Sequence, residues 1–314
     1  MELFLVAAAL AVGGLLAVQG AANLQLSSAL GSPVGASTLQ LGIAAVLLVA
    51  LAAAAGTLPA VELLPRAEPW HLLGGLASAL YITAGILLFP RLGALASVGL
   101  FVTGQLLVSV TMDAFGLLGV RQVGLEPAAV AGALAAVAGM ALIVRAQAPA
   151  GPGGPGRDPL TAGKARWVLL GLAAGAALPL QGAINAQLRA DLDAPITAAG
   201  AFSFVVATAT MAVVLLTGLR LHHTGRPRLR PLGRLPWWGW LGGVIGPTYV
   251  VALFLLLPQI GAAATIGLTV AGQQLASVLV DQRGLLRLPR RPLTRTRLAG
   301  LALLSAGVAL IQLT

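Results

Sequence analysis

The 314-residue chain contains no cysteine, which removes disulfides, thiolate metal sites and cysteine nucleophiles from consideration. Charge is nearly as scarce. Asp, Glu, Lys and Arg together make up 9% of the residues, against roughly 25% in soluble domains. Aromatic residues supply only 4%. Catalytic signatures are missing as well: the chain has no HExxH, no phosphate loop and no Ser/His/Asp arrangement placed for chemistry. The GPGGPG run at 151–156 is not a nucleotide loop, because no strand precedes it and its prolines remove the amide donors a phosphate needs. His222 and His223 fall in an arginine-rich stretch and His71 falls near another segment's start. They are expected to be solvated rather than convergent on a metal. An enzyme is not expected, nor a cofactor, nor a metal.

What the chain has in abundance is hydrocarbon: 58% of residues are hydrophobic and the mean hydropathy is +0.94. A bilayer core of about 30 Å needs roughly 20 apolar residues per helix. Ten such runs are present, at 3–22, 35–56, 70–89, 92–112, 126–145, 167–188, 197–218, 237–257, 260–281 and 297–314. Barrel strands would read as short alternating segments, which are absent. The expected class is an all-α membrane protein with ten transmembrane helices. The first run has Glu2 and no positive n-region, and it matches an internal segment, so it is expected to stay as a mature helix.

The net charge of +10 is not spread evenly. Sixteen of the 19 basic residues fall in alternate loops: Arg91; then Arg145, Arg157, Lys164 and Arg166; then Arg220, Arg226, Arg228, Arg230 and Arg234; then Arg283, Arg287, Arg290, Arg291, Arg295 and Arg297. Only Arg66, Arg121 and Arg189 fall on the other side. This asymmetry is the positive-inside pattern. It predicts a multi-pass protein of the cell (inner) membrane with both termini extracytoplasmic. The arginines are expected to meet lipid headgroups, and no nucleic-acid partner is expected.

The stretch VQGAANLQL at 18–26 returns as LQGAINAQL at 180–188, and Pro33 and Pro195 keep the same offset. Further along, Trp70 aligns with Trp238, Tyr81 with Tyr249, Gly93 with Gly261 and Gln105 with Gln273. Asp113 then aligns with Asp281 and Gly116 with Gly284, and Gly132 and Gly139 align with Gly300 and Gly307. The two tyrosines of the chain occupy equivalent positions. Each copy holds five spans, and five is odd, so the second copy enters the membrane from the opposite side. The expected architecture is two inverted five-helix repeats, an arrangement that places transport sites at the repeat interface near mid-membrane. The expected domains are 1–145, a Gly/Pro-rich cytosolic linker at 146–166, and 167–314.

Two five-helix repeats, each opening on small residues and a Gln-Gly-x-x-Asn-x-x-Leu motif (Gln19, Gly20, Asn23, Leu26; Gln181, Gly182, Asn185, Leu188), resemble the drug/metabolite transporter superfamily. The motif is similar to that of its YdcZ-like branch, in the fused two-repeat form. The resemblance implies a transporter with the fold just described and no cofactor. Small multidrug members of the superfamily carry a membrane-embedded Glu in helix 1, whereas this chain has only Glu2 at the edge of its first run.

Carboxamides inside apolar runs cost free energy unless they are paired, so those repeated at mid-depth are the candidate substrate-binding residues: Gln19, Asn23 and Gln105, with Gln181, Asn185 and Gln273. Gln19 and Asn23 are spaced i, i+4 and share one helix face, as do Gln181 and Asn185. Interhelical glue is the competing role. Tyr81 and Tyr249 lie too deep for an interfacial belt and join the candidates. Asp113 and Asp281, near helix C-termini, oppose the helix dipole. Arg121 is the expected partner of the first, and Arg283 or Arg287 of the second, with ion coupling as the alternative role. Gly246-Pro247 predicts a kink, and Trp237, Trp238 and Trp240 an interfacial belt.

The expected function is a membrane transporter moving a small neutral or zwitterionic solute by alternating access. Two alternatives stay open: a cation or drug exporter coupled through Asp113 and Asp281, and a non-transporting interaction or scaffold protein. The expected partners are a small-molecule substrate and the lipid bilayer, and a homodimer is left open.

Overall fold

The computed structural model describes residues 2–146, 162–193 and 195–312. Most of the expected linker, residues 147–161, lies outside them. The described residues form ten α-helices: α1 (Glu2–Leu30), α2 (Pro33–Ala54), α3 (74–92), α4 (94–115), α5 (Pro127–Arg145), α6 (Ala162–Asp191), α7 (Ile196–Arg220), α8 (Leu241–Ile260), α9 (Ala262–Arg283) and α10 (Arg295–Gln312). No strand occurs among the described residues. Among the described residues seven stretches are long and apolar enough to cross a membrane, and one of them, Pro69–Phe115, has 47 residues and holds two helices.

The helices α3 and α4 are separated by Gly93, whose φ of 81° and ψ of 172° leave the helical region. Its repeat counterpart Gly261, at φ 79° and ψ 165°, separates α8 from α9. Both breaks fall close to the expected boundaries between these spans, because an extended backbone with positive φ suits a residue without a β-carbon. α8 continues as helix through both Pro247 and Pro258. α1 runs on to Leu30, past the expected end at 22. Polar residues that lower hydropathy there are taken up by neighbouring protein, so they do not end the helix.

The duplication is visible in backbone detail. α4 and α9 both end on a left-handed glycine, Gly116 and Gly284, followed by a leucine at φ 54°, Leu118 and Leu286. The returning chain then bonds back in the same register, Val123 N to Asp113 O at 2.8 Å and Arg291 N to Asp281 O at 2.7 Å.

The halves interlock by reciprocal contacts: α1 packs on α9 and α6 on α4, α2 packs on α7, and α5 packs on α10. Glycine permits the closest approaches. A β-carbon added at Gly13 would lie 1.9 Å from Thr269 O, and one at Gly272 the same distance from Leu10 O. In the other pair, a β-carbon at Gly175 would lie 2.1 Å from Phe101 O, and one at Gly104 equally near Leu172 O. Such small-residue seams replace the hydrophobic drive that lipid does not supply. The molecule is an all-α membrane protein of ten helices in two inverted five-helix repeats.

Candidate functional site

α1 carries Gln19 and Asn23 on one face, and both are buried. The Gln19 Nε2 donates to Gly242 O at the start of α8, at 3.0 Å, and the Gln40 Nε2 of α2 donates to the same carbonyl at 3.2 Å. Asn23 abuts that glycine so tightly that an added β-carbon would lie 1.7 Å from its Oδ1. The Asn23 Oδ1 and Gln40 Oε1 atoms are buried and have no hydrogen-bond partner among the described residues.

Beside this node, Gln19, Asn23, Tyr81, Phe89 and Phe101 contribute to one small cavity between α1, α3 and α4. Its free space is on the order of one water molecule. The Tyr81 hydroxyl accepts from Gln273 Nε2 of α9 at 3.4 Å, and its ring tilts against Phe101 with centroids 4.7 Å apart. Tyr249 lies close enough to Tyr81 to interact with it electrostatically. Gln19, Asn23, Tyr81, Tyr249 and Gln273 are thus brought to one region.

The second-half motif faces elsewhere. Gln181 Nε2 donates to Ser78 Oγ at 2.7 Å and to Ser203 Oγ at 3.4 Å. Asn185 packs on Gly74, where an added β-carbon would lie 2.3 Å from its Oδ1. This mirrors Asn23 on Gly242. Gln105 is half-buried on α4, outside the cavity lining.

The two copies differ in closure. α1 packs on α3 and α4 of its own half, while α6 makes no comparable contact with α8 and α9 among the described residues. Accordingly, a β-carbon at Gly20 would lie 2.3 Å from Phe89, whereas among the described residues nothing lies within 4 Å of one at the equivalent Gly182. The motif is sealed in the first half and open in the second.

Sequence reasoning missed Gln40, Ser78, Ser203 and Gln274, whose Oε1 accepts from Ser305 at 3.1 Å. Their repeat positions are Phe202, Gly246, Leu41 and Leu106, so a search for paired polar residues passes over them. A polar residue in an apolar run, with or without a partner copy, was the available signal.

The acidic residues are partnered differently from expectation. Asp281 bonds neither Arg283 nor Arg287. Its carboxylate, 2% exposed, pairs with Arg297 at 2.7 Å and accepts the amides of Ala94 and Leu95 at 2.7 and 3.2 Å. The chain returning from α9 brings Arg297 under the carboxylate, whereas Arg283 and Arg287 point outward. Arg291 donates to the carbonyls of Pro90 and Arg91 at 3.4 and 3.2 Å. Burial lowers the Arg291 pKa, an effect partly offset by Asp281. Asp113 is exposed, and Arg121 forms no ion pair with it among the described residues.

His71 is not solvated. It is buried, pairs through Nδ1 with Asp191 and stands edge-on to Trp70 at 4.0 Å. The short turn Pro69–Leu73 folds it onto the end of α6. His222 and His223 are exposed. Trp237 is exposed, and Trp238 lies under Arg287 at 5.9 Å. On the same arginine-rich side, Trp167 lies between Arg91 and Arg166, at 4.1 and 4.8 Å.

One solved crystal structure aligns with 97% of this chain and 97% of its own at 20% identity and a TM-score of 0.55. That likeness carries the fold alone. No curated protein matches the chain significantly. The sequence profile of the family described as "Putative inner membrane exporter, YdcZ" matches residues 4–142 and 166–310. A match over nearly the whole of both repeats is what the paired motifs and interlocked halves lead to: the chain belongs to this YdcZ family of the drug/metabolite transporters and is a multi-pass inner-membrane transporter.

Proposed function

We propose that the transporter moves a small neutral or zwitterionic solute by alternating access, with the carboxamides and tyrosines as its binding groups. The observation that carries this reading is the convergence of Gln19, Asn23 and Tyr81 on one cavity, with Gln273 bonded to Tyr81 from the other half. Amides and a phenol offer donors and acceptors to a polar solute but no fixed charge. The Asn23 and Gln40 acceptors, without a partner among the described residues, supply hydrogen-bonding capacity that a solute could use.

The cavity lining contains no carboxylate, which disfavours export of a cation through Asp113 or Asp281. The Asp281 charge is spent on Arg297 and two amides. A scaffold would not need polar groups repeated in both halves at mid-depth. The difference in closure between the copies supports alternation: exchanging the two conformations would open the first motif and seal the second. Gln105 and Tyr249 would then take the roles that Gln273 and Tyr81 hold here. In this reading 1–145 and 167–314 act as the two units, 146–166 tethers them in the cytosol, and both termini are extracytoplasmic.

The test is uptake into proteoliposomes across a panel of neutral, zwitterionic, cationic and anionic solutes, comparing the parent with Gln19→Leu, Gln273→Leu and Gln105→Leu. Uptake of a neutral or zwitterionic solute, lost in these variants while they stay folded and inserted, is the expected result. Uptake confined to cations, abolished by Asp113→Asn and unaffected by the carboxamide variants, would replace this reading with the exporter one.

A further inference from the structure

The helix α4 begins at a break in the chain, and its first amides have no carbonyl of their own helix to meet. Away from water each such amide is costly unless another group accepts it. Asp281, from the far end of α9, accepts two of them. Gly93 makes room: a β-carbon there would lie 2.7 Å from Arg291 Cδ and 3.0 Å from Asp281 Oδ1. A carboxylate of one half therefore clamps a helix start of the other.

The repeat supplies the same parts a second time. Asp113 matches Asp281, Gly261 matches Gly93 with nearly the same φ and ψ, and α9 begins where α4 begins. Yet Asp113 is exposed, and among the described residues it caps no amide at the start of α9. One clamp is closed and its twin stands open. The closed clamp accompanies the sealed motif of α1, and the open one accompanies the α6 motif that stands away from α8 and α9.

Resting on the alternating-access reading, we infer that Asp113 and Asp281 are twin latches of which one is closed at a time. Asp281 on the start of α4 holds the arginine-rich side shut, and Asp113 on the start of α9 shuts the opposite side after the halves exchange conformations. The latches are not equal. Arg297 and Arg291 flank only the first, their counterparts being Ala129 and Val123. The extra guanidinium contacts favour the state seen here. The aspartates act as positioning residues for gating and do not touch the solute.

The absence of cysteine allows single reporters. Ser27→Cys lies on the sealed side of α1, where the serine is buried, and Gly182→Cys faces open space on α6. Labelling by a membrane-impermeant maleimide is measured in right-side-out and inverted vesicles. Asp281→Asn should raise labelling of Ser27→Cys about tenfold, the scale of losing charge-assisted hydrogen bonds, and should lower labelling of Gly182→Cys. Asp113→Asn alone should leave both unchanged. Added to Asp281→Asn, it should restore labelling of Gly182→Cys, because the opposite side can no longer latch. Ala94→Pro, which deletes one latch amide at a helix position where proline is tolerated, should act like Asp281→Asn and decides the matter if that variant fails to insert. Gly242→Ala, which pries α8 from Asn23 without touching the latch, reports alternation independently. If Gly242→Ala exchanges the two labelling patterns and the latch variants do not, the latch is overturned and alternating access stands. If no variant exchanges them, both fall. A double variant that labels like Asp281→Asn alone removes Asp113 from the device.

Discussion

Substituting Gly139 by Ala puts a number on the seam between α5 and α10. A β-carbon there would lie 2.5 Å from Gly300 O and 2.6 Å from Leu304 N, both main-chain atoms that cannot rotate away. The seam is reciprocal: a β-carbon at Gly300 would lie 2.7 Å from Gly139 O, and the pair Gly132 and Gly307 repeats the arrangement a helical stretch away. Ordinary contact begins near 3.4 Å, so α10 must retreat by about 0.9 Å, a gap that forfeits a quarter to a half of each dispersion contact. The contacts at stake include Ala136, Ile143 and Leu304, which are all but inaccessible. Overpacking of this kind costs about 1–3 kcal/mol, and the better helix propensity of Ala returns less than about 1 kcal/mol. The matched control is Gly42→Ala, where the nearest atom, Thr208 Cγ2, would be 3.7 Å away. There only the propensity gain remains, so the protein should be unchanged or slightly more stable. Denaturant unfolding in a common detergent should separate the two variants by about 2 kcal/mol. If Gly139→Ala and Gly42→Ala unfold within about 0.5 kcal/mol of each other, the close backbone approach at the seam does not hold the halves together.

Other outcomes follow from the same geometry. Arg297→Gln strands the buried Asp281 carboxylate and should cost about 3–5 kcal/mol; adding Asp281→Asn should recover part of that loss, and a strictly additive double variant would show that the two side chains act separately. Tyr81→Phe removes the hydroxyl that Gln273 meets, so uptake should fall at least tenfold without loss of the folded protein, an estimate of about 1.4 kcal/mol; normal uptake would place the tyrosine in packing alone. Asp191→Asn weakens the clasp on buried His71 and should lower stability by about 1–3 kcal/mol, visible as a shift in the unfolding midpoint; no shift would show that the clasp contributes nothing. Reporter fusions at the C-terminus should read extracytoplasmic, and a cytosolic signal would invert the orientation inferred from the arginines.

What the sequence determined by itself was the class and the symmetry. Apolar runs of bilayer length leave few alternatives to spanning helices, because backbone groups in lipid must bond within their own segment. A repeated Gln-Gly-x-x-Asn motif with an odd helix count forces inversion. The positions of Gly93, Gly261, Gly116 and Gly284 could also be read there, since a backbone at positive φ selects glycine in both copies. Tertiary structure alone decided which polar residues meet. Asp281 lies far in sequence from Ala94 and Leu95 yet caps them, and local charge spacing had pointed to Arg283 and Arg287. His71 finds Asp191 across the chain in the same way. Gln40 and Ser78 acquire roles although their repeat positions are apolar, because the node each joins is made by the opposite half. The sharpest division concerns Gln19 and Gln181. Their sequences match, but one is sealed against Gly242 and the other bonds Ser78 beside an open face. The matching motif alone does not decide that difference, because the groups each glutamine meets come from other helices that the fold brings up to it.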